Sequence, residues 1–196
     1  MRPPPKVRLP FPSLRQMIMR LSRIGCAVLT AAMHAAHEIN APTYAHAILT
    51  TDGLIEALRD VFQNLPPEAG AAVIHGEGDH FCAGLDLSEL KERDAGEGIH
   101  HSRSWHVALN AVEQGRVPVV AALHGAVVGG GLELASASHI RVADESTFYA
   151  LPEGTRGIFV GGGGSVRVPK LIGAARMTDM MLTGRVYNAQ DGERVG

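Results

Sequence analysis

Two glutamates stand beside glycine-rich turns, where carboxylates could carry acid–base chemistry. Glu133 follows the glycines Gly129, Gly130 and Gly131, and Glu153 lies in "ALPEGTRG". Two carboxylates divide the work of acid and base when their surroundings separate their pKa values. A single carboxylate is more often a solvated surface residue, and the pair by itself only suggests catalysis.

The three glycines directly precede a helix, although glycine is a poor helix former. A helix start carries backbone N–H groups without partners and the positive end of the helix dipole. Glycines at that point allow a ligand oxygen to reach a bare amide. The loop "CAGLD" (82–86) follows an earlier strand and offers a second amide, so the two loops together could form an oxyanion hole. The alternative is that both are only tight strand-to-helix turns.

The sequence gives little support to phosphate-binding, dinucleotide-binding or metal sites. No Lys-Ser/Thr pair follows the glycines as it would in a phosphate loop, and the dinucleotide-binding glycine pattern also fails. Cys26 and Cys82 are too few for a zinc site or a disulfide framework, and Cys82 is interpreted as a small buried residue. The ten histidines lack ligand spacing, so we expect no metal site.

Alternating strands and helices predict an α/β layered architecture. In such folds, functional sites lie where a strand ends and a loop or helix begins. The glycine cluster 161–164 is interpreted as a structural turn. The predicted strands are 71–75, 117–125, "HIRVA" and "STFYA", and the predicted helices are 52–65, 85–92, 99–114, the segment from the glycines to Ala137, "SVRVPKLI" and "AARMTDMML".

Composition allows one well-packed domain, since 45% of the 196 residues are hydrophobic. The net charge of −2 is unevenly distributed, because residues 1–37 carry six basic residues and no acidic one. This atypical basic amino-terminal segment resembles a targeting peptide, but its proline-rich opening does not, so a disordered segment is the alternative. No apolar run is long enough for a membrane span, and no basic stripe with aromatics indicates a nucleic-acid surface. We therefore expect neither partner.

Three motifs occur together in one order and spacing: "GDHFCAGLDLSEL", "VPVVAALHGAVVGGGLELASASHIRVA" and the stretch from "FYALPEGTRG" onward. Together they resemble the enoyl-CoA hydratase/isomerase, or crotonase, superfamily over residues 52–196. The resemblance implies an α/β fold built as a crotonase-like spiral of ββα units, assembled as a trimer or hexamer. It also implies that residues 38–196 form an acyl-CoA-binding core. Coenzyme A then arrives as part of the thioester substrate, so no separate cofactor is expected, and the expected location is cytoplasmic.

The same resemblance gives individual residues a role. Glu133 and Glu153 match the two catalytic glutamates of true hydratases, and the N–H groups of Leu85 and Gly130 match the oxyanion hole. The implied reaction adds water across the 2,3-double bond of a 2-enoyl-CoA. Family isomerases commonly keep only one of these glutamates, so the pair favours a hydratase, with an isomerase as the enzymatic alternative. The implied substrate-binding positions are Ala83, Gly84, Asp86, Gly129 and Gly131.

Both ends of the sequence depart from the family pattern. "INAPTYAHAILTTDGL" aligns only loosely with the family's nucleotide-binding loop. "AQDGERVG" falls where family members continue into a further strand and helices over the acyl pocket, so we expect a core truncated at its carboxy terminus. A second hypothesis, from a different class, is an inactive fragment or pseudoenzyme that only binds acyl-CoA or a related subunit.

Overall fold

Apolar strands alternate with amphipathic helices along residues 51–85 and 93–196, which are the residues that the computed structural model describes. The basic segment 1–37, the loosely matching stretch before residue 51, Asp86 and most of the predicted helix 85–92 lie outside the described residues. The elements are α1 (Thr51–Gln63), β1 (Ala72–His75), α2 (Ala95–Glu113), β2 (Val119–Leu123), β3 (Ala126–Val128), α3 (Gly130–Ala137), β4 (Ile140–Ala143), β5 (Phe148–Ala150), a 3-10 turn (Gly154–Arg156), α4 (Gly164–Ile172), α5 (Ala174–Thr183), β6 (Tyr187–Asn188) and α6 (Ala189–Val195).

The strands form two three-stranded sheets. The first has the order β1-β2-β4 and is parallel throughout, with Ala72 opposite Val119 and Val120 opposite Ile140. The second has the order β3-β5-β6, in which β3 and β5 are parallel and the short β6 is antiparallel to β5. The chain therefore visits the first sheet and then the second in each turn, as β2-β3-α3 and again as β4-β5-α4. This repeat of strand, strand and helix is the predicted spiral of ββα units.

The chain turns from one sheet to the other at Gly125. The prediction of a single strand over 117–125 is wrong here, because β2 ends at Leu123 and the next three residues of regular structure, 126–128, form β3 in the other sheet. Gly125 has a φ of +54°, and a Cβ at this position would lie 2.1 Å from the carbonyl oxygen of Asp79. The corner therefore needs both the conformational freedom and the small size of glycine.

Helix α2 begins four residues before its predicted start. Asp94 caps it by accepting a hydrogen bond from the Glu97 N–H at 2.8 Å, while Glu97 accepts one from the Asp94 N–H at 3.2 Å. This capping box begins the helix despite Gly96 and Gly98 in the first two turns, two residues that weaken a propensity-based prediction. The helices at the glycine run and on both sides of Gly173 are confirmed.

One hydrophobic cluster joins the helices to both sheets. Leu58 of α1, Leu109 and Val112 of α2, Val119 of β2 and Val127 of β3 are all essentially inaccessible to solvent. Helix α3 follows β3 directly and is buried along almost its whole length, so the core fixes the site that α3 carries. A separate cavity of about 850 Å³ lies between β4, α4 and α6 and is lined by neither Glu133 nor Glu153.

Candidate active site

The glycine run joins β3 to α3 at a point of very close backbone approach. A Cβ on Gly131 would lie 2.2 Å from the carbonyl oxygen of Cys82, so only glycine fits there. Gly129 has a φ of +55° and donates its N–H to the Ala150 carbonyl at 3.0 Å. Gly130 is the first residue of α3, where helical geometry provides no acceptor for the N–H group. The run therefore leaves a bare amide at a helix start.

The second loop lies against this helix start. Cys82 pairs with Val127 as an isolated parallel bridge, donating to the Ala126 carbonyl and accepting from the Val128 N–H, each at 3.0 Å. Gly84 follows with a φ of +95°, and a Cβ on it would lie 3.5 Å from the Gly130 nitrogen. The structure thus brings the predicted binding positions 83–85 and 129–131 together. Asp86, the remaining predicted binding residue, is outside the described part of the chain.

Glu133 projects from the first turn of α3 and is 5% exposed. Its Oε1 accepts hydrogen bonds from the N–H groups of Gly162 at 2.9 Å and Gly164 at 2.8 Å. Burial is the largest effect on this carboxyl group and raises its pKa to about 7 from the ordinary value of 4.5. The negative charge of Glu153 raises it further, while the two N–H groups and Arg167 act in the opposite direction. This carboxyl group can therefore change its charge near neutral pH.

Glu153 follows β5 and stands immediately before the 3-10 turn, where it is 8% exposed. Its Oε1 lies beside Gly129, since a Cβ on that glycine would be 2.7 Å away. Its Oε2 is buried without a hydrogen-bond partner within the described residues. Burial is the main cause that raises the pKa of Glu153, against its own backbone N–H and Arg156, which lower it. Burying a carboxylate oxygen without a hydrogen bond costs folding free energy, so this oxygen indicates a binding position for a polar ligand.

The glycine run links the two glutamates. The carbonyl of Gly129 accepts the Glu133 N–H at 3.0 Å, and the same glycine packs against the Glu153 carboxyl group. The negative charge of Glu153 raises the pKa of Glu133, so ionisation of Glu133 is disfavoured while Glu153 is charged. One protonated and one ionised carboxyl group in a buried site can serve as acid and base.

Sequence reasoning missed the residues that support Glu133. The glycine cluster 161–164 is indeed a turn, but it also supplies the two amides that hold the carboxylate. Arg167 of α4 donates to the carbonyl of Gly162 at 2.9 Å, and Ser102 of α2 donates to the carbonyl of Gly161 at 3.0 Å. A signal was present, because Arg167 is a charged residue on the otherwise apolar buried side of "SVRVPKLI".

Trp105 is another residue at the site for which the sequence predicted no role. A Cβ on Gly130 would lie 3.4 Å from Cη2 of its indole ring, so the ring borders the bare amide of the helix start. Trp105 is the only tryptophan of the chain and is partly buried against the core cluster. Its position makes it a neighbour of any group that binds to the Gly130 N–H.

Residues 51–85 and 93–196 contain neither a metal-ligating cluster nor a membrane-spanning helix. No group of three or more His, Cys, Asp or Glu side chains there is arranged to hold a metal ion. None of the helices in this part of the chain has the length and apolar character needed to cross a membrane.

Comparison with known proteins identifies the class to which this fold belongs. The sequence profile of the enoyl-CoA hydratase/isomerase family matches residues 35–196, and the chain belongs to this family. The alpha subunit of the fatty acid oxidation complex from Shewanella sp. (strain W3-18-1) is 42% identical over 134 residues. That match covers 67% of this chain but 19% of the relative, so the chain spans about a fifth of that protein's length.

Solved structures agree with this assignment. A provisionally assigned enoyl-CoA hydratase from Rhodopseudomonas palustris CGA009 is 65% identical, with a TM-score of 0.73 over 74% of this chain and 57% of that one. The enoyl-CoA hydratase from Bacillus anthracis is 35% identical, with a TM-score of 0.67 over 73% of this chain and 57% of that one. The crotonase-type α/β fold predicted from the motifs is therefore confirmed.

Proposed function

We propose that this protein is an enoyl-CoA hydratase, which adds water across the 2,3-double bond of a 2-enoyl-CoA thioester. The observation that carries the proposal is the pair of buried glutamates joined by Gly129, with Oε2 of Glu153 left unpaired. A water molecule is a small polar ligand that can satisfy that oxygen. Hydration needs a water held between a base and an acid, and two buried carboxyl groups can provide both functions.

The glycine-rich loops would bind the thioester. In this proposal its carbonyl oxygen lies against the N–H groups of Leu85 and Gly130, while Ala83, Gly84, Gly129 and Gly131 keep the approach free of bulky side chains. As negative charge moves onto that oxygen, two fixed amide donors stabilise the enolate, each by about 3–4 kcal/mol. The close contact of the two loops at Gly84 and Gly130 supports this arrangement.

The proton transfers balance within the glutamate pair. The ionised carboxylate takes a proton from the water as the water oxygen bonds to C3, and the electrons of the double bond move to the thioester oxygen. The protonated carboxyl group then delivers its proton to C2, and the enolate collapses to the carbonyl. The pair still holds one proton at the end, so no other acid, base, metal or cofactor takes part in the proposed step.

An isomerase of the same family is the second candidate function, since a single glutamate could move a proton between C2 and C4. The burial and raised pKa of both carboxyl groups favour hydration, because two buried carboxyl groups can divide the work of acid and base. Several family relatives carry the name of a fatty acid oxidation complex subunit, which supports a fatty acyl substrate. Assembly as a trimer or hexamer and a cytoplasmic location belong to the same proposal and rest on the family assignment.

The conjugated thioester absorbance separates these functions. We expect the purified chain to remove this absorbance from crotonyl-CoA, with a product heavier by one water, and we expect Glu133→Gln and Glu153→Gln each to lower the rate by about 10²–10⁴-fold. Glu68→Gln, at an exposed turn position, is the matched control and should keep the full rate. A gain of absorbance from 3-hexenoyl-CoA that persists in Glu133→Gln but not in Glu153→Gln would instead support the isomerase. A folded chain that acts on neither substrate contradicts both.

A further inference from the structure

Arg167 is a buried cation that lies outside the catalytic pair. It is 5% exposed, and its guanidinium group makes three hydrogen bonds. Nε donates to Glu113 Oε2 at 2.7 Å, Nη2 donates to Asn110 Oδ1 at 2.5 Å, and Nη1 donates to the carbonyl of Gly162 at 2.9 Å. The first two partners belong to α2, so Arg167 connects that helix to the glycine turn.

The glycine turn is also where Glu133 is held. Gly162 accepts from Arg167 through its carbonyl and donates to Glu133 Oε1 through its N–H. The next glycine, Gly163, has a φ of +99° and lies against the Arg167 guanidinium, since a Cβ there would be 2.5 Å from Nη1. Gly164 donates the second hydrogen bond to the same carboxylate oxygen. A rigid chain of contacts thus runs from Glu113 and Asn110 through the arginine to Glu133.

We propose that Arg167 is a positioning residue that fixes the glycine turn and thereby holds the Glu133 carboxyl group in its reactive place. It does not touch the substrate. Arginine suits this task because its rigid planar fork holds its donors apart and can bond to separated, fixed acceptors, whereas the three donors of a lysine all lie on one nitrogen. Without the guanidinium group, the glycine turn is still bonded to α2 through the hydrogen bond from Ser102 to the Gly161 carbonyl. The turn therefore stays in place, but its amide groups can shift.

The proposal also predicts an electrostatic effect. The charged or titratable groups facing Glu133 and Arg167 are Glu153 before the 3-10 turn, and Glu113 and His106 on α2. Arg167 lowers the pKa of Glu133, and so do the amides that it positions. Removing the arginine should therefore raise the pKa of Glu133.

The kinetic test rests on the proposed hydratase function and compares two arginine variants. In Arg167→Met, we expect kcat for crotonyl-CoA to fall by about 10- to 100-fold while KM changes by less than about 3-fold, because a small misplacement affects the reaction more than binding. Arg116→Met is the matched control, since that arginine also donates to loop carbonyls, of Pro66, Pro67 and Ala69, but is exposed and bonds to the loop after α1 instead of the glycine turn. It should keep the full rate.

The conservative variant distinguishes positioning from mere structural support. Arg167→Lys keeps the charge, so the pH at which activity changes should return toward that of the unaltered protein, while kcat stays reduced because the fork is missing. If Arg167→Met does not fold, Arg167→Lys alone decides the question. An Arg167 variant that is folded, with unchanged kcat and pH profile, or one whose loss of kcat only follows its loss of folded protein, overturns the proposal.

A second measurement is independent of turnover. The pH range over which Glu133→Gln changes stability reports the pKa of Glu133 in the folded protein. We expect the upper end of this range to move to higher pH when Arg167→Met is also present, and to stay in place with Arg116→Met. If the chain does not hydrate crotonyl-CoA but this shift is found, the proposed function fails while the link between Arg167 and Glu133 stands. If Arg167→Met leaves this pH range unchanged, the proposed link between Arg167 and Glu133 is overturned.

Discussion

Glu133 shows the conflict between stability and a reactive carboxyl group. Its side chain is enclosed by Gly162 and Gly164, where any added Cβ would lie within 3.1 Å of the carboxylate or its chain. Two amides satisfy one of its oxygens, yet burial still raises its pKa to about 7. The folded protein therefore holds a proton on Glu133 that the unfolded chain releases from about pH 4.5 upward, and this difference lowers stability as the pH rises.

Replacing this carboxyl group should make the protein more stable in alkaline solution. Glutamine keeps an oxygen for the two glycine amides but carries no charge, so Glu133→Gln should gain stability progressively from pH 4.5 to about 7. Each unit of pKa shift corresponds to about 1.4 kcal/mol, which gives a gain of about 3 kcal/mol above pH 8. Denaturant unfolding at pH 5 and pH 8 measures the gain, with the exposed Glu68→Gln as the control. A gain that is equal at both pH values would refute the buried titration.

At the residue level, the sequence identifies the residues that belong to motifs. It does not identify the residues elsewhere in the chain that hold them in place. Glu133, Glu153 and the glycines are recognisable because a short motif surrounds each one. The contact between Arg167 and Glu113 joins residues 54 positions apart, and no local pattern encodes such a partner. Burial of Glu153 is equally invisible in the sequence, because a lone glutamate in a polar turn resembles a surface residue.

At the scale of elements, helix α3 is positioned by backbone packing instead of side-chain caps. No side chain caps its start, and its first residues are the glycines that lie against Cys82 and Gly84. The close packing holds the loop of the proposed oxyanion site beside the helix that carries Glu133. A glycine is consequently required at Gly131 for reasons of space.

An alanine at that position should disturb the helix start. Gly131→Ala places a Cβ about where the Cys82 carbonyl stands, so we expect a loss of about 1–3 kcal/mol in unfolding free energy and reduced hydration. Gly98→Ala is the matched change in helix α2, with open space around the new methyl group, and should be neutral or stabilising by about 0.5–1 kcal/mol. Thermal and denaturant unfolding of both variants compare them directly. Equal stability of the two variants would contradict the packing argument.

Elements with strong periodicity were predictable, whereas strand β3 and the start of α2 were not. Helix α1 has an apolar stripe that ends before Pro66–Pro67, and its observed bounds agree with that pattern. Strand β3 has only three residues and directly precedes the glycines, so no alternation distinguishes it from the loop. The start of α2 depends on a reciprocal pair of cap hydrogen bonds that outweighs two glycines.

At the scale of the whole molecule, the two sheets bring distant segments to one place. The site segments all follow strands of the second sheet or their extension; they are residues 82–85, 129–133 and 153. The glycine turn 161–164, at the start of α4, covers them. The predicted alternation of strands and helices was sufficient to place sites at strand ends. It could not show which strand ends meet, because that depends on the switch between sheets at Gly125.

The central claim is that Glu133 and Glu153 act as one unit in hydration. The most direct measurement is the rate at which crotonyl-CoA loses its conjugated absorbance with the unaltered chain, Glu133→Gln, Glu153→Gln and the double variant, each shown to be folded. We expect each single change to lower kcat by about 10²–10⁴-fold and the double variant to lose little more than the worse single one. Substantial activity in either single variant, or losses that multiply in the double variant, would contradict the account.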